Sequence, residues 1–107
     1  MAAILTEDEF SKHVNTTFRA GIDTQTPVEL KLVEVKGYAK KLEEHSVMER
    51  FSAFFKGPVE PYLPQATYTL QHDQMGEFEI FLVPLSRDED GFRYEAVFNY
   101  FKQSDAE

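Results

Sequence analysis

The sequence predicts a mainly β protein, with a β-barrel-like or strongly curled antiparallel sheet of about six strands and a short N-terminal helix. Apolar and polar residues alternate over several short stretches, residues that favour turns separate these stretches, and helical spacing occurs at the start of the chain. A chain of 107 residues, 42% of them hydrophobic, is suited to a single domain over residues 1–107. Curling such a sheet leaves the fewest exposed edges.

The N-terminal helix is expected over residues 6–14. Thr6 can cap it, and Glu9 stands three residues later, as in a capping box. Phe10 and later apolar positions recur at helical spacing, and Asn15 is a suitable stop. We expect the helix to lie across one end or open edge of the sheet, which is predicted over residues 16–101.

The strand that begins at Val28 changes its phase part-way. Apolar residues alternate from Val28 to Leu32, and the apolar positions then shift by one at Val33 and Val35. Such a shift indicates a β-bulge or a strand that turns a barrel corner. The polar residues 37–49 are expected to form a mobile loop or a short exposed helix.

A strand over residues 50–56 carries Phe54 on its otherwise polar face, which predicts that the helix, the proline-rich connector or a partner covers this face. Three prolines between Gly57 and Tyr68 then prevent regular pairing. Three further strands, over residues 67–72, 77–85 and 92–101, form a meander joined by short hairpin loops. The predicted core positions on these strands are Tyr68, Leu70, Phe78, Ile80, Leu82, Tyr94, Ala96 and Phe98. Residues 103–107 read as a frayed tail.

The composition argues against several classes of function. The protein is acidic, with a formal net charge of -8, so it repels phosphate backbones and anionic lipid headgroups, and we expect it to bind neither nucleic acid nor membranes. It has no cysteine, hence no disulfide and no thiolate site. The N-terminus does not resemble a signal peptide, and no stretch approaches the roughly 18 apolar residues of a transmembrane helix. We therefore expect a cytoplasmic protein.

Metal and cofactor sites are not predicted. His13, His45 and His72 lie far apart in the sequence, without the spacing of local metal motifs. Residues 88–91, Asp-Glu-Asp-Gly, match only a fragment of a calcium-binding loop and are better explained as a hairpin turn.

An enzyme is the third-ranked hypothesis. Its nominal residues are His72, Asp73, Glu77 and Glu79, which could supply a base or a carboxylate pair. However, no nucleophile accompanies them, because cysteine is absent and no serine stands in a glycine-flanked elbow. A hairpin turn and a solvated sheet face explain the four residues better, so we expect no catalytic activity.

The leading hypothesis is a non-catalytic protein-binding or assembly module. Aromatic residues off the phase of the core could form a contact surface: Phe54, Tyr62, Phe81, Phe92 and Phe101. The predicted binding residues are Phe54, Pro58, Tyr62, Leu63, Pro64 and Gln65, with proline fixing the backbone and Phe54, Tyr62 and Leu63 providing apolar anchors. The oligomeric state stays open, and a homo-oligomer is compatible with the sequence.

The alternative is a small barrel that carries an apolar ligand. Eight strands make about the smallest barrel that encloses a ligand, whereas about six are predicted here. We therefore expect the interior to have room only for side chains.

Two groups of residues resemble a known family. The first is the run from Phe51 to Pro58, continued from Leu63 to Tyr68; the second is the run from Phe81 to Leu85, followed by Gly91 and by Tyr94 to Asn99. With Leu5, Thr6 and Phe10, they are similar in order and spacing to small bacterial proteins catalogued as domain of unknown function 6916. The resemblance covers about residues 5–99. It implies no activity, cofactor or catalytic residue, and it favours an assembly role associated with a phage-tail-like structure.

Overall fold

A computed structural model describes residues 5–21, 27–37, 48–60 and 62–101. Its elements, in chain order, are α1 (Glu7–Ser11), β1 (Thr17–Ala20), β2 (Val28–Gly37), β3 (Met48–Gly57), β4 (Ala66–His72), β5 (Gly76–Asp88) and β6 (Gly91–Phe101). The predicted mainly β fold is confirmed. The expectations for the tail and for most of residues 37–49, including His45, lie outside the described residues.

The six strands close into a ring in the order β1-β2-β3-β6-β5-β4, and every pairing is antiparallel. Arg19 opposite Gln71 and Ala20 opposite Leu70 join β1 to β4 and complete the ring. Closure pairs the two outer strands that an open sheet would leave exposed.

Two bulges let the sheet bend into this ring. The register between β2 and β3 shifts between Leu32 and Glu34, at the position where the sequence pattern changes phase. A second shift, between Pro84 and Ser86, interrupts the pairing of β5 with β6. An extra residue on one strand increases local twist and bends the strand. The predicted bulge near Val33 is therefore confirmed.

Helix α1 is shorter than predicted. The Thr6 hydroxyl accepts a hydrogen bond from the Glu9 N–H at 3.1 Å, as expected for an N-cap. The Glu9 carboxylate lies instead 3.4 Å from both Lys12 Nζ and His13 Nε2, so the reciprocal half of the capping box is not formed among the described residues. Asn15 has a φ of 76°, which reverses the chain direction and leads it into β1.

The Phe10 side chain closes one end of the ring. It is fully buried, and its ring centroid lies 5.3 to 6.1 Å from those of four other phenylalanines, which belong to β1, β3, β5 and β6. These four residues are Phe18, Phe51, Phe78 and Phe98. The helix therefore lies across one end of the sheet, as predicted, and supplies a central residue of the core.

The interior is filled by side chains. Its fully buried members come from α1 and from all six strands: Phe10, Phe18, Ala20, Leu30, Leu32, Phe51, Ala53, Phe55, Leu70, Leu82 and Tyr94. Aromatic residues provide much of this volume, as the composition predicts.

Candidate functional site

The proline segment, residues 58–60 and 62–65, closes the end of the ring opposite α1. It follows Gly57 and contacts the first half of β6, whereas Phe10 contacts the second half. The Leu63 N–H donates a hydrogen bond to the Tyr94 hydroxyl at 3.0 Å. The Tyr68 hydroxyl donates to the Pro64 carbonyl oxygen at 2.6 Å. Burial raises the pKa of both tyrosines, so both hydroxyls stay protonated at neutral pH.

The structure changes the interpretation of Leu63. Its side chain is only 8% exposed and belongs to the core cluster, so it cannot serve as an exposed anchor for a partner. The reason is the hydrogen bond to Tyr94, which draws this part of the segment inward. Tyr62, by contrast, is 47% exposed and packs against Phe92, with ring centroids 4.8 Å apart.

The other predicted residues of the segment lie at the surface. Pro64 and Gln65 are exposed, and Pro58 is partly buried. Pro58 lines an open groove of about 530 Å³ together with charged residues of both signs, among them Lys31, Glu29 and Asp90. A groove with such mixed charge does not favour one class of ligand.

Phe54 lies on the outer wall of the ring. It stands between the inward-facing Ala53 and Phe55, and the Arg93 guanidinium covers its ring at 4.8 Å from the centroid. Arg93 also pairs with Glu34 at 2.8 Å. Cover is therefore present, and the Arg93 side chain of the neighbouring strand β6 provides it, rather than the helix or the proline segment.

A second group of candidate residues forms what we call the β5–β6 patch, defined as Phe81, Val83, Leu85 and Val97. Phe81 is 48% exposed, Leu85 47% and Val97 57%, while Val83 is partly buried. Exposed apolar residues are common singly, so the succession of Phe81, Val83 and Leu85 at alternate positions of β5, with Val97 on the neighbouring strand, makes this surface a candidate for interaction.

The sequence pattern identifies part of this patch. Phe81 is one of the aromatic residues off the core phase, and its exposure is consistent with that reading. Val97 was missed, although its place between Glu95 and Asn99 on the polar face of β6 was a usable signal. Leu85 was missed because the bulge that exposes it depends on the pairing of β5 with β6.

His72 is a structural residue of the β4–β5 turn. Its side chain is buried, and its Nδ1 accepts hydrogen bonds from the Gln74 and Met75 N–H groups, both at 3.1 Å. Its Nε2 lies 2.9 Å from the Thr16 hydroxyl, which itself donates to the His13 carbonyl oxygen at 2.6 Å. These partners fit a neutral imidazole that carries its proton on Nε2.

Burial is the main cause that lowers the pKa of His72, and the nearby His13 and Arg19 lower it further, against an opposite effect of Asp73. Protonation of Nδ1 would break both hydrogen bonds to the turn. The sequence-based prediction of a hairpin turn in this segment is therefore correct, and the histidine accepts the turn's backbone hydrogen bonds.

The other residues of the enzyme hypothesis lie at the surface of the β4–β5 hairpin. Asp73 pairs with Arg19 at 2.9 Å and is highly exposed. Glu77 and Glu79 are exposed on β5. None of the four residues of this hypothesis lines the groove beside Pro58 or a smaller groove beside Val97.

Asp88 organises the β5–β6 hairpin turn. Its Oδ1 accepts from the Asp90 N–H at 2.8 Å and the Gly91 N–H at 3.1 Å, and its Oδ2 accepts from Lys56 Nζ at 2.8 Å. The hydrogen bond from Lys56 is the largest cause that lowers the pKa of this carboxyl. In the described part of the chain, no group of three potential metal-ligating side chains is found.

None of the helices in the described ranges is long and apolar enough to cross a bilayer.

Comparison with known proteins identifies one family. No curated protein and no solved structure matches the chain. The model of one family, described as a domain of unknown function, matches residues 5–98, which is most of the chain. The chain therefore belongs to the family Domain of unknown function (DUF6916).

Proposed function

We propose that this protein is a non-catalytic protein-binding or assembly module and that the β5–β6 patch is its contact surface. The observation that supports the proposal is the exposure of Phe81 and Val97, which are 48% and 57% exposed on neighbouring strands. Burial of apolar surface is a main favourable term in protein association, and aromatic residues are enriched at the centres of interfaces.

This proposal moves the contact surface away from the proline segment. That segment is attached to the ring through Leu63, which is buried and hydrogen-bonded to Tyr94. Tyr62 is the exposed aromatic residue that it retains as a possible anchor, and Phe54 is already packed against Arg93.

The ligand-carrier alternative receives less support. The centre of the ring is occupied by fully buried side chains, of which Phe10, Phe18 and Phe55 are among the largest. For the enzyme hypothesis, His72 has its hydrogen-bonding groups engaged by the turn and by Thr16. A binding module therefore agrees best with the described side chains.

Site-specific photo-cross-linking tests the proposal with a matched control. Phe81 and Tyr62 are aromatic and nearly equally exposed, at 48% and 47%, but they lie on different surfaces. A benzoylphenylalanine placed at either position samples only its own neighbourhood. The protein is expressed in its native cells, irradiated, and its cross-linked products are identified by mass spectrometry.

We expect a discrete cross-linked protein from position 81 and none from position 62. The substitution Val97→Ser, on the same surface, should reduce that product. A product from position 62 alone would assign the contact to the proline segment, and no product from either position would reject both surfaces. If the assembly role extends to a phage-tail-like structure, the captured protein is a repeated structural subunit.

A further inference from the structure

The pairing of strands β5 and β6 ends at Val83 and Glu95. Their register runs from Asp88 opposite Gly91 to Val83 opposite Glu95. Among the described residues, 76–82 are registered only with β4, and 96–101 only with β3. The ring is therefore closed near the hairpin and open between the other halves of these two strands.

The opening leaves backbone groups available for pairing. In an antiparallel sheet, successive residues direct their N–H and C=O groups alternately to the two sides of the strand. Alternate residues of β6 beyond Glu95 therefore direct these groups to the side where β5 no longer pairs. Such an open edge is a template for an added strand.

The interior behind this opening is already closed. The Phe10 ring lies 5.9 Å from that of Phe78 on β5 and 5.3 Å from that of Phe98 on β6. A strand that joined β6 at this place would thus contact a packed apolar layer on its inner side. It would not need to displace the core.

The outer side of the opening is flanked by the patch. Phe81 and Val97 are each two residues beyond the last pair on their strands, Val83 and Glu95, and both are exposed. Beside Val97 lies a groove of about 240 Å³, lined by Val97, Phe98, Asn99 and Arg50. This volume is below the roughly 300–1,000 Å³ of sites for drug-sized ligands, and it suits individual side chains.

Charge indicates which kind of strand would bind. Glu77 and Glu79 are exposed on β5 next to Phe81, and the whole chain carries a net charge of -8. Arg50, which lines the groove, already interacts with other groups of the protein. The field around the opening therefore favours lysine or arginine and disfavours a second copy of the same acidic chain.

We propose that the open edge of β6 beyond Glu95 receives an extended segment of a partner protein in which apolar and basic residues alternate. The segment adds to β6 as a strand and directs its apolar side chains to the inner layer of Phe10, Phe78 and Phe98. Its basic side chains point outward, where their aliphatic stems contact Val97 and Phe81 and their charges lie near Glu77 and Glu79. This inference rests on the proposed function, because it specifies the partner of the same patch.

Synthetic peptides test the inference directly. The probe is a fluorescein-labelled octapeptide of alternating valine and lysine, and binding to the full chain is measured by fluorescence anisotropy at low and at physiological salt. In a control peptide, glutamate replaces lysine. Two further versions of the lysine peptide carry backbone N-methyl groups, one at the valine positions and the other at the lysine positions.

Strand addition to a single edge uses the N–H groups of only one of these two sets. We therefore expect one methylated peptide to bind like the parent and the other to bind at least about tenfold more weakly. We expect a loss of similar size for the glutamate peptide and for the variants Val97→Ser and Phe81→Ser. The double variant Glu77→Lys/Glu79→Lys should lose the preference for lysine over glutamate. Thermal unfolding confirms that each variant is folded.

Three outcomes would overturn the inference. If both methylated peptides bind equally, the peptide does not pair as a strand through its backbone N–H groups, and attraction between charges explains the binding. A protein dimer that Val97→Ser dissociates, measured by sedimentation equilibrium, would make a second copy the occupant. Failure of the lysine peptide to bind would reject strand addition, while a cross-link from position 81 would still support the binding module.

Discussion

The hydroxyl of Tyr94 lies 3.0 Å from the backbone nitrogen of Leu63 and so joins the wall of the ring to the segment that closes its end. Both residues are buried, Tyr94 fully and Leu63 almost fully. A backbone N–H in such a place needs a partner, since an unsatisfied buried donor costs free energy. The hydroxyl meets this need from a strand 31 positions away in the sequence.

Replacing Tyr94 with phenylalanine should therefore destabilise the protein by about 1–3 kcal/mol, because the Leu63 N–H loses its acceptor while the ring is retained. Urea unfolding measures the change. Tyr68→Phe is the matched control, since the Tyr68 hydroxyl donates to Pro64 in a more exposed place, and it should cost less. Equal losses in the two variants would contradict the structural role of the buried hydrogen bond.

Phe10→Ala should be among the most damaging substitutions, with a loss of about 3–5 kcal/mol, because it removes a fully buried ring and leaves a cavity at one end of the core. Differential scanning calorimetry or urea unfolding measures it. The control is Phe81→Ala, which truncates the same side chain at a 48% exposed position and should change stability little. A small loss for Phe10→Ala would show that α1 is not required for the fold.

The fold prediction rests on the periodicity of apolar residues along the chain. This periodicity is local to the sequence, so it does not predict features that depend on contacts between distant residues. The strands of the meander and the bulge near Val33 could be predicted because alternation along a strand is local to the sequence. The helix was overestimated because it ends at Ser11, with Lys12 as its C-cap, and residues 12–15 form a turn that lets the Asn15 N–H donate to the Leu32 carbonyl oxygen. That contact joins distant residues and is not encoded in helical spacing.

The candidate site also has some features that could be predicted from the sequence and others that could not. The exposure of Phe81 could be predicted because this residue alternates on β5 with Ile80 and Leu82, which face the core. The burial of Leu63 could not be predicted in this way, because apolar and polar residues do not alternate regularly in the proline segment. The hydrogen bond to Tyr94 determines which side chain of the segment points inward. The separation of β5 from β6 after Val83 is also not predictable from either strand alone, since it depends on how β6 continues along β3.

Gly91 should tolerate no side chain. Its φ of 145° lies in a region that essentially only glycine adopts, and a Cβ atom there would overlap the Gly57 carbonyl oxygen. Gly91→Ala should therefore cost about 3 kcal/mol or more, since backbone strain and the overlap add. Gly76 separates the two effects: its φ is 86°, but a Cβ would meet nothing within 4 Å, so Gly76→Ala should cost only about 1–2 kcal/mol. Urea unfolding of both variants checks the order, and a reversed order would contradict the close approach of Gly91 to Gly57.

His72 should make the stability of the protein depend on pH. Its pKa in the folded state is lowered from 6.5, first by burial and then by His13, so the unfolded chain binds a proton more readily than the folded one. The stabilisation from the neutral ring is fully present above about pH 6.5, the unfolded-state value, and is lost as pH falls from there towards the folded-state pKa. The free energy of unfolding should decrease over this range by up to about 1.4 kcal/mol per pH unit.

The variant His72→Asn isolates this contribution, because an asparagine oxygen can accept the hydrogen bonds of Gln74 and Met75 but does not titrate. We expect the variant to be less stable at pH 8, since it loses the ring contact with Phe18, whose centroid lies 4.3 Å away. Its unfolding free energy should fall less between pH 7 and pH 5 than that of the native chain. Urea unfolding at half-unit pH intervals measures both slopes, and NMR titration of the imidazole resonances assigns them. If the two slopes agree, another group carries the pH dependence, and the neutral His72 in the turn is not its source.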